Sequence, residues 1–313
     1  MSAELRRNPL SGKWTLITPA RAARPSDMAD APVAGNPPAC PFCPGNEGFT
    51  PPEVDSLRPP GAATRDTPGW LVRVVPNKYP AFAAPHGAHE VIVHSPRHDV
   101  DLDRLTLPEV TDVLTMYQRR IAANCAAGAQ AVTVILNHGR EAGASLAHPH
   151  SQLFASPVVP PLLRAERGRF TRYAGEHGRC LLCDLIEAER RDGERLVIDG
   201  EFVAFTPPAS RFAFELWLAP AQHEEDFGRA AAPRLAAALQ RALRAVTGAT
   251  GGAAFNYWLH TVPCGGDGSF HWHLEIAPRT AFLAGFELAT DVTLNIVEPR
   301  AAAARLREQL PPA

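Results

Sequence analysis

Gly143-Ala-Ser145-Leu-Ala-His148-Pro-His150-Ser-Gln152 is the stretch on which the reading of this chain turns. It ends in H-x-H-x-Q and runs into the apolar Leu153-Phe154-Ala155. Such a run predicts a β-strand, in which alternate side chains share a face, so that His148, His150 and Gln152 point the same way. Pro149 biases its predecessor away from helix and keeps the chain extended. Gly139 and Gly143 place a loop just before. Of the two histidines, one can bind a metal and stiffen the strand and the next can act as a nucleophile, while the Gln donates a hydrogen bond. The plain alternative is a solvated strand carrying two unrelated histidines, and the rest of the chain decides between them.

The 313 residues are enough for two domains or one large one. A content of 45% hydrophobic and 20% charged residues is that of a globular protein. The formal net charge of −2 argues against general nucleic-acid binding. The first residues, Met1-Ser-Ala-Glu-Leu-Arg-Arg, lack the apolar core of a signal peptide. No apolar run reaches the ~20 residues that span a bilayer. A cytoplasmic protein that does not engage membranes is expected. Four of the six cysteines form two C-x-x-C pairs, Cys40/Cys43 and Cys180/Cys183, which in a reducing compartment point to metal or redox chemistry. Cys125 falls on a helix and reads as a small buried hydrophobe; Cys264 falls in a loop without a role.

Taken in order, strands are expected at 13–18, 70–75, 89–94 and 131–136, with an amphipathic helix over 107–123 set by Val110, Val113, Leu114, Tyr117 and Ile121. After the H-x-H-x-Q strand, residues 157–178 read as a proline-led, charged connector. A helix from Cys180 to about Arg191, a hairpin 195–205 turning at Asp199-Gly200, a strand at 214–218, a helix over 229–247 and strands at 253–258 and 270–276 follow, with a short terminal helix at 299–308. The two halves repeat: C-x-x-C, a strand ending near a histidine, a long helix, a strand, a glycine-containing loop and an H-x-H strand. Cys43 and His98 are 55 residues apart and His98 and His148 are 50 apart; the matching separations are 40 for Cys183–His223 and 48 for His223–His271. An internal duplication follows: an α+β chain of two units with antiparallel sheets, divided as 1–165 and 166–313.

Cys40, Cys43, His98 and His148 make a Cys2His2 set. Two thiolates and two imidazoles complete tetrahedral zinc and leave no open position, so its role is structural. The C-x-x-C pairs lie too far apart for one zinc ribbon, so each half makes its own site, the second from Cys180, Cys183, His223 and His271. Two zinc ions per chain are expected. Arg73, Arg97 and Arg140 read as solvated or paired.

These motifs together resemble the galactose-1-phosphate uridylyltransferase family, the transferase branch of the histidine-triad superfamily. The resemblance rests on the H-x-H-x-Q strand preceded by Asn137-x-Gly139 and Gly143-x-Ser145, and on Arg21-x-x-Arg24-Pro25, Cys40-x-x-Cys43, Asn77, Ser95-Pro-x-His98 and Gly285-Phe286-Glu287. It implies two tandem histidine-triad-like units. It also implies a ping-pong reaction in which His150 attacks the α-phosphorus of a nucleotide sugar, hexose 1-phosphate leaves, and a second hexose 1-phosphate takes the nucleotidyl group. In that scheme Gln152 holds an α-phosphate oxygen and Ser145 the β-phosphoryl group or its bridge. Backbone amides near Gly143 approach phosphate. Asn77 and Asn137 contact the nucleotide, and Phe286 and Glu287 belong to the substrate-binding set. Arg21 and Arg24 match residues that reach phosphate from a partner subunit, which implies a homodimer. Histidine-triad hydrolases carry a third His where Gln152 stands; Gln cannot shuttle a proton near neutrality, which fits transfer to a phosphate acceptor.

Three enzymatic and non-enzymatic functions are then in play. The first is exchange of UMP between UDP-glucose and galactose 1-phosphate. The second is an ADP-sugar phosphorylase transferring adenylyl to phosphate, because Ala281 and Thr293 stand where uridylyltransferases have a Lys and a Gln, and the second C-x-x-C is absent from some members. The third is a two-zinc nucleotide-binding module without catalysis. A rival second metal set, Glu166, His260, His271 and His273, resembles the oxygen-and-nitrogen site of some uridylyltransferases; it shares His271 with the Cys2His2 set, and the softer thiolates are expected to prevail. His273, the counterpart of His150, is followed by Glu275, whose charge would repel phosphate.

Overall fold

The computed structural model describes residues 4–17, 40–61, 64–84, 87–266 and 268–310. In the first half, β1 (Glu4–Arg7) and β2 (Trp14–Ile17) form a hairpin, and β3 (Asp55–Leu57), β4 (Val72–Pro76), β5 (Ala88–Val93), helix α1 (Leu107–Ala126), β6 (Ala131–His138) and β7 (His150–Ser156) follow. Helices α2 (Pro161–His177) and α3 (Leu181–Asp192) lead to β8 (Leu196–Ile198), β9 (Phe202–Phe205), β10 (Leu216–Pro220), α4 (Ala232–Ala249), β11 (Phe255–His260) and β12 (His273–Pro278). The chain closes with α5 (Gly285–Thr290), β13 (Thr293–Asn295) and α6 (Pro299–Glu308). Strands β1, β2 and β13 make a small sheet; the other ten form one sheet in the order β3-β4-β5-β7-β6-β11-β12-β10-β9-β8.

From one edge the large sheet reads β3-β4-β5-β7-β6; from the other it reads β8-β9-β10-β12-β11. Helix α1 connects β5 to β6, as α4 connects β10 to β11. The duplication is therefore a duplication of topology, and its two copies meet where β6 pairs antiparallel with β11, from Phe255 against His138 to Leu259 against Val134. The seam is reinforced by an exchange between helices. Gln118 of α1 donates to the carbonyls of Phe227 and Ala230, just before α4, at 3.0 and 2.8 Å. Gln240 of α4 donates to the carbonyls of Leu102, at 2.9 Å, and Leu105, just before α1.

Local sequence explains α1 and β7. Thr106 and Glu109 form a capping box at the start of α1, satisfying otherwise orphaned amides. Val110, Val113, Leu114, Tyr117 and Ile121 then pack the helix against the sheet. On β7, Leu153 and Ala155 enter that core, so the strand's alternation turns His150, Gln152 and Phe154 to the other face.

Several expectations change. The connector expected at 157–178 is largely helix α2: Pro161 sits in its first turn, where its missing N–H costs nothing, and Leu163, Glu166 and Phe170 form one buried stripe hidden in sequence among charges. Strands β7 and β12 begin at His150 and His273, so His148 and His271 lie just ahead of them. Cys125 and Cys264 form a disulfide that ties the end of α1 to the loop between β11 and β12. Neither residue was legible as a partner, because the link joins positions 139 residues apart. Arg73, expected to be solvated or paired, is indeed paired, with Glu53 at 3.1 Å and Asp66 at 3.0 Å, and it is buried.

Because the disulfide closes so long a loop, Cys125→Ser/Cys264→Ser is expected to lose about 2–4 kcal/mol of stability. Chemical denaturation without reductant measures this, and reductant should bring the wild type down to the same midpoint.

Candidate active site

Residues from β6, β7 and the loop between them converge at one end of the sheet. A cleft of about 910 Å³ opens there, with Asn137, Gly139, Ser145, His148, His150 and Phe255 in its wall. Two glycines shape the loop. Gly139 (φ 81°) approaches Ala254 so closely that a Cβ would lie 2.7 Å from the Ala254 Cβ, and Gly143 (φ 87°) ends the 3-10 turn Arg140–Ala142 in the left-handed region. Asn137 accepts at Oδ1 from the Asn256 amide at 2.8 Å, which links the wall to β11.

His150 is 7% exposed, and its Nδ1 lies 2.7 Å from the His148 carbonyl. A carbonyl only accepts, so Nδ1 carries the proton and Nε2 keeps its lone pair. Burial lowers the His150 pKa; the bond to His148 O only partly opposes this. The ring is therefore neutral near pH 7, with one nitrogen free to attack. Phe42 packs edge-on against it, ring centres 5.2 Å apart. Gln152, two residues on, meets His89 Nε2 through Oε1 at 2.9 Å, and Asn77 lies 3.2 Å from the same His89 nitrogen. In sequence, His89 reads only as the first residue of a strand. Beneath the opposite face, Ser151 joins His94, at 2.7 Å, to Tyr117 and Tyr257. Both tyrosines are buried, so this network holds β7 between α1 and β11.

The first Cys2His2 set is assembled. Cys43 Sγ lies 3.4 Å from His98 Nδ1 and 3.7 Å from His148 Nδ1, and Cys40 Sγ lies 3.8 Å from His148 Nδ1. A tetrahedron with Zn–S of about 2.3 Å and Zn–N of about 2.1 Å has an S···N edge of roughly 3.6 Å, so the donors fit zinc. His148 turns its other nitrogen to the Ser95 carbonyl at 2.8 Å, which fixes Nδ1 toward the thiols. The second half repeats the pattern. Cys180 and Cys183 each lie 3.5 Å from His271 Nδ1, His271 Nε2 faces the Pro220 carbonyl at 3.1 Å, and His223 completes the group. Both sets are consistent with zinc.

The rival set does not form as expected, and the competition for His271 disappears. His271 belongs to the thiol cluster, and Glu275 stands in its place beside Glu166, His260 and His273. This third group is buried, with Arg211 ion-paired to Glu275 and, at 3.3 Å, to Glu215. Burial opposes ionisation of Glu275, yet Arg211, then His273 and His260, hold its pKa at about 2. Burial raises Glu215 despite the same guanidinium. His273 keeps the local geometry of His150, its Nδ1 3.1 Å from the His271 carbonyl, but it is fully buried among Trp217, Phe270 and these charges. The second half thus has an H-x-H strand whose His273 is sealed in the interior.

Phe286 and Glu287 do not line the cleft of their own chain. They lie on α5 beside β13, where Glu287 accepts from the Ala284 amide at 3.0 Å. Arg21 and Arg24 lie outside the described residues.

Fold and site together define a duplicated histidine-triad protein with one open H-x-H-x-Q cleft. The chain belongs to the galactose-1-phosphate uridyl transferase family, whose N-terminal-domain model matches residues 1–160. It is 32% identical to the ADP-glucose phosphorylase of Arabidopsis thaliana over 98% of this chain and 93% of that one. The crystal structure of an Arabidopsis thaliana ADP-glucose phosphorylase with bound ADP-glucose superposes with a TM-score of 0.86 at 31% identity, covering 98% and 99% of the two chains. The galactose-1-phosphate uridylyltransferase of Thermotoga maritima is 27% identical over 97% of this chain and 98% of its own. Such relatives support nucleotidyltransferase or phosphorylase chemistry. No helix among the described residues is long and apolar enough to cross a membrane.

Arg211→Met removes the only guanidinium paired with Glu215 and Glu275 among the described residues and should cost about 3–5 kcal/mol. Glu275 has a depressed folded pKa, so its contribution is present above the ordinary carboxylate pKa and is lost as pH falls toward about 2. Urea midpoints of wild type and Arg211→Met measured from pH 6 down to pH 2 should converge in acid.

Proposed function

We propose that the protein moves a nucleotidyl group from a nucleotide sugar to a phosphate-bearing acceptor through a covalent nucleotidyl-His150 intermediate. The observation that carries this is the His150 ring: neutral, with Nδ1–H bound to the His148 carbonyl, so that Nε2 keeps its lone pair, and set in the wall of the cleft. Nε2 forms a bond to the α-phosphorus as the bond to the departing sugar phosphate breaks, and the acceptor's phosphate oxygen then displaces Nε2. Gln152 supports an α-phosphate oxygen, Ser145 the next phosphoryl group, the Gly143 loop offers backbone amides, and Asn77 and Asn137 engage the nucleotide. Zinc at Cys40, Cys43, His98 and His148 fixes the residue two places before the nucleophile, and zinc at the second set fixes the equivalent point. A homodimer belongs to this reading: Arg21, Arg24, Phe286 and Glu287 then serve the partner's cleft, and Phe282, Phe286 and Leu288 are exposed for such a contact.

Read through the uridylyltransferase relatives, the reaction is UMP exchange between UDP-glucose and galactose 1-phosphate. A second reading, adenylyl transfer from an ADP-sugar to phosphate, is favoured by full-length similarity to ADP-glucose phosphorylase. Turnover of UDP-glucose with galactose 1-phosphate and of ADP-glucose with phosphate, measured side by side, decides between them.

With α-labelled nucleotide sugar and no acceptor, an acid-labile label should appear on wild type and His273→Ala and be absent from His150→Ala. Because burial depresses the His150 pKa, labelling should stay near its maximum as pH falls past 6.5 and decline only below that. Label on His150→Ala would end the proposal.

Metal analysis should find two zinc ions per chain, one after Cys180→Ser/Cys183→Ser, and two after Glu166→Ala.

A further inference from the structure

His89 is the second residue of β5, where it pairs with Phe154 of β7, and its ring stacks on that side chain with centroids 4.0 Å apart. The Ala81 backbone N–H donates to His89 Nδ1 at 3.1 Å. A backbone amide can only donate, so Nδ1 must hold a lone pair. Burial keeps the ring neutral, and its proton therefore sits on Nε2. That N–H is 2.9 Å from Gln152 Oε1, which accepts it. The Asn77 amide nitrogen, 3.2 Å from the same Nε2, is then a neighbour and not a bonding partner, because Asn77 Oδ1 is already committed to the Tyr79 N–H at 2.8 Å. The opposite tautomer would set an N–H against the Ala81 N–H and would leave Gln152 Oε1 without its donor.

The two ends of a glutamine side-chain amide have nearly the same shape, and only their hydrogen bonds distinguish them. Here one end is fixed by His89. The other, the NH2 group, has no hydrogen-bond partner among the described residues, and Gln152 is partly exposed. We propose that His89 is a positioning residue: through Nε2–H it locks the Gln152 amide with its oxygen inward and its NH2 presented to a phosphate oxygen. This deepens, and rests on, the nucleotidyl-His150 reading. Without the donor the amide can turn over and offer its oxygen to an anion.

The tautomer is tested without any reaction. In ¹⁵N-histidine NMR of the full-length protein, the ring signals missing from His89→Phe should show the Nε2–H tautomer; the Nδ1–H form overturns the proposal. The kinetic test is single-turnover formation of labelled His150. If wild type forms no label, the nucleotidyl-His150 reading fails, whatever His89 does. If it labels, His89→Phe, which keeps the stacking on Phe154, should label about 10- to 100-fold more slowly with little change in nucleotide-sugar affinity. Gln152→Leu should lose a similar factor, and the double variant should lose no more than either alone. His89→Gln, which restores an N–H donor, should recover most of the rate; its melting curve and that of His89→Phe monitor folding. Independent losses that multiply in the double variant, an unchanged rate in His89→Phe, or no recovery in a folded His89→Gln each overturn the proposal.

Discussion

The pairing of β6 with β11 is the constraint on which the molecule depends. Each copy of the duplicated unit would otherwise leave a long strand edge open. Joined, the edges turn two five-stranded sheets into one and let α1 and α4 cover a continuous core. The glutamine exchange shows how far the units rely on each other. Gln118 closes carbonyls that belong to the second unit, and Gln240 does the same for the first. Tyr257 extends this dependence to the cleft, since a residue of the second unit helps to hold the strand that carries His150.

The cleft itself is made rigid from several directions. His148 is drawn to the thiols by Nδ1 and to Ser95 by Nε2, and its carbonyl then sets the tautomer of His150. Gln152 is held from β5 and Ser151 from α1. In the proposed transfer the nucleophile must align with its phosphorus target, and order in these side chains would lower the cost of reaching that alignment. The loop before them is different in kind: Gly139 and Gly143 supply backbone conformations and close approach that a side chain would block.

Much of this was legible in the sequence because it is written in short-range patterns. Val110, Val113, Leu114, Tyr117 and Ile121 announce a helix by spacing, and the C-x-x-C and H-x-H motifs announce ligands by chemistry. What escaped depends on contacts between distant residues. Cys125 and Cys264 carry no local mark of their bond. Helix α2 hides a three-residue buried stripe among charged neighbours. Arg211 lies in the turn before β10 and Glu275 on β12, so their ion pair exists only once those segments of the chain come together. His89 likewise acquires its meaning from Ala81 and Gln152, neither of which is its neighbour in sequence.

The difference between Gln152 and Glu275 has a consequence of its own. Two identical subunits related by a twofold axis must carry the same residue at both equivalent points. A protein built that way could not place an amide at one H-x-H strand and a carboxylate, paired with a partly buried arginine, at the other. Fusing the units into one polypeptide lifts that restriction. One copy is then free to keep an open cleft, and the other to fill the equivalent place with charge.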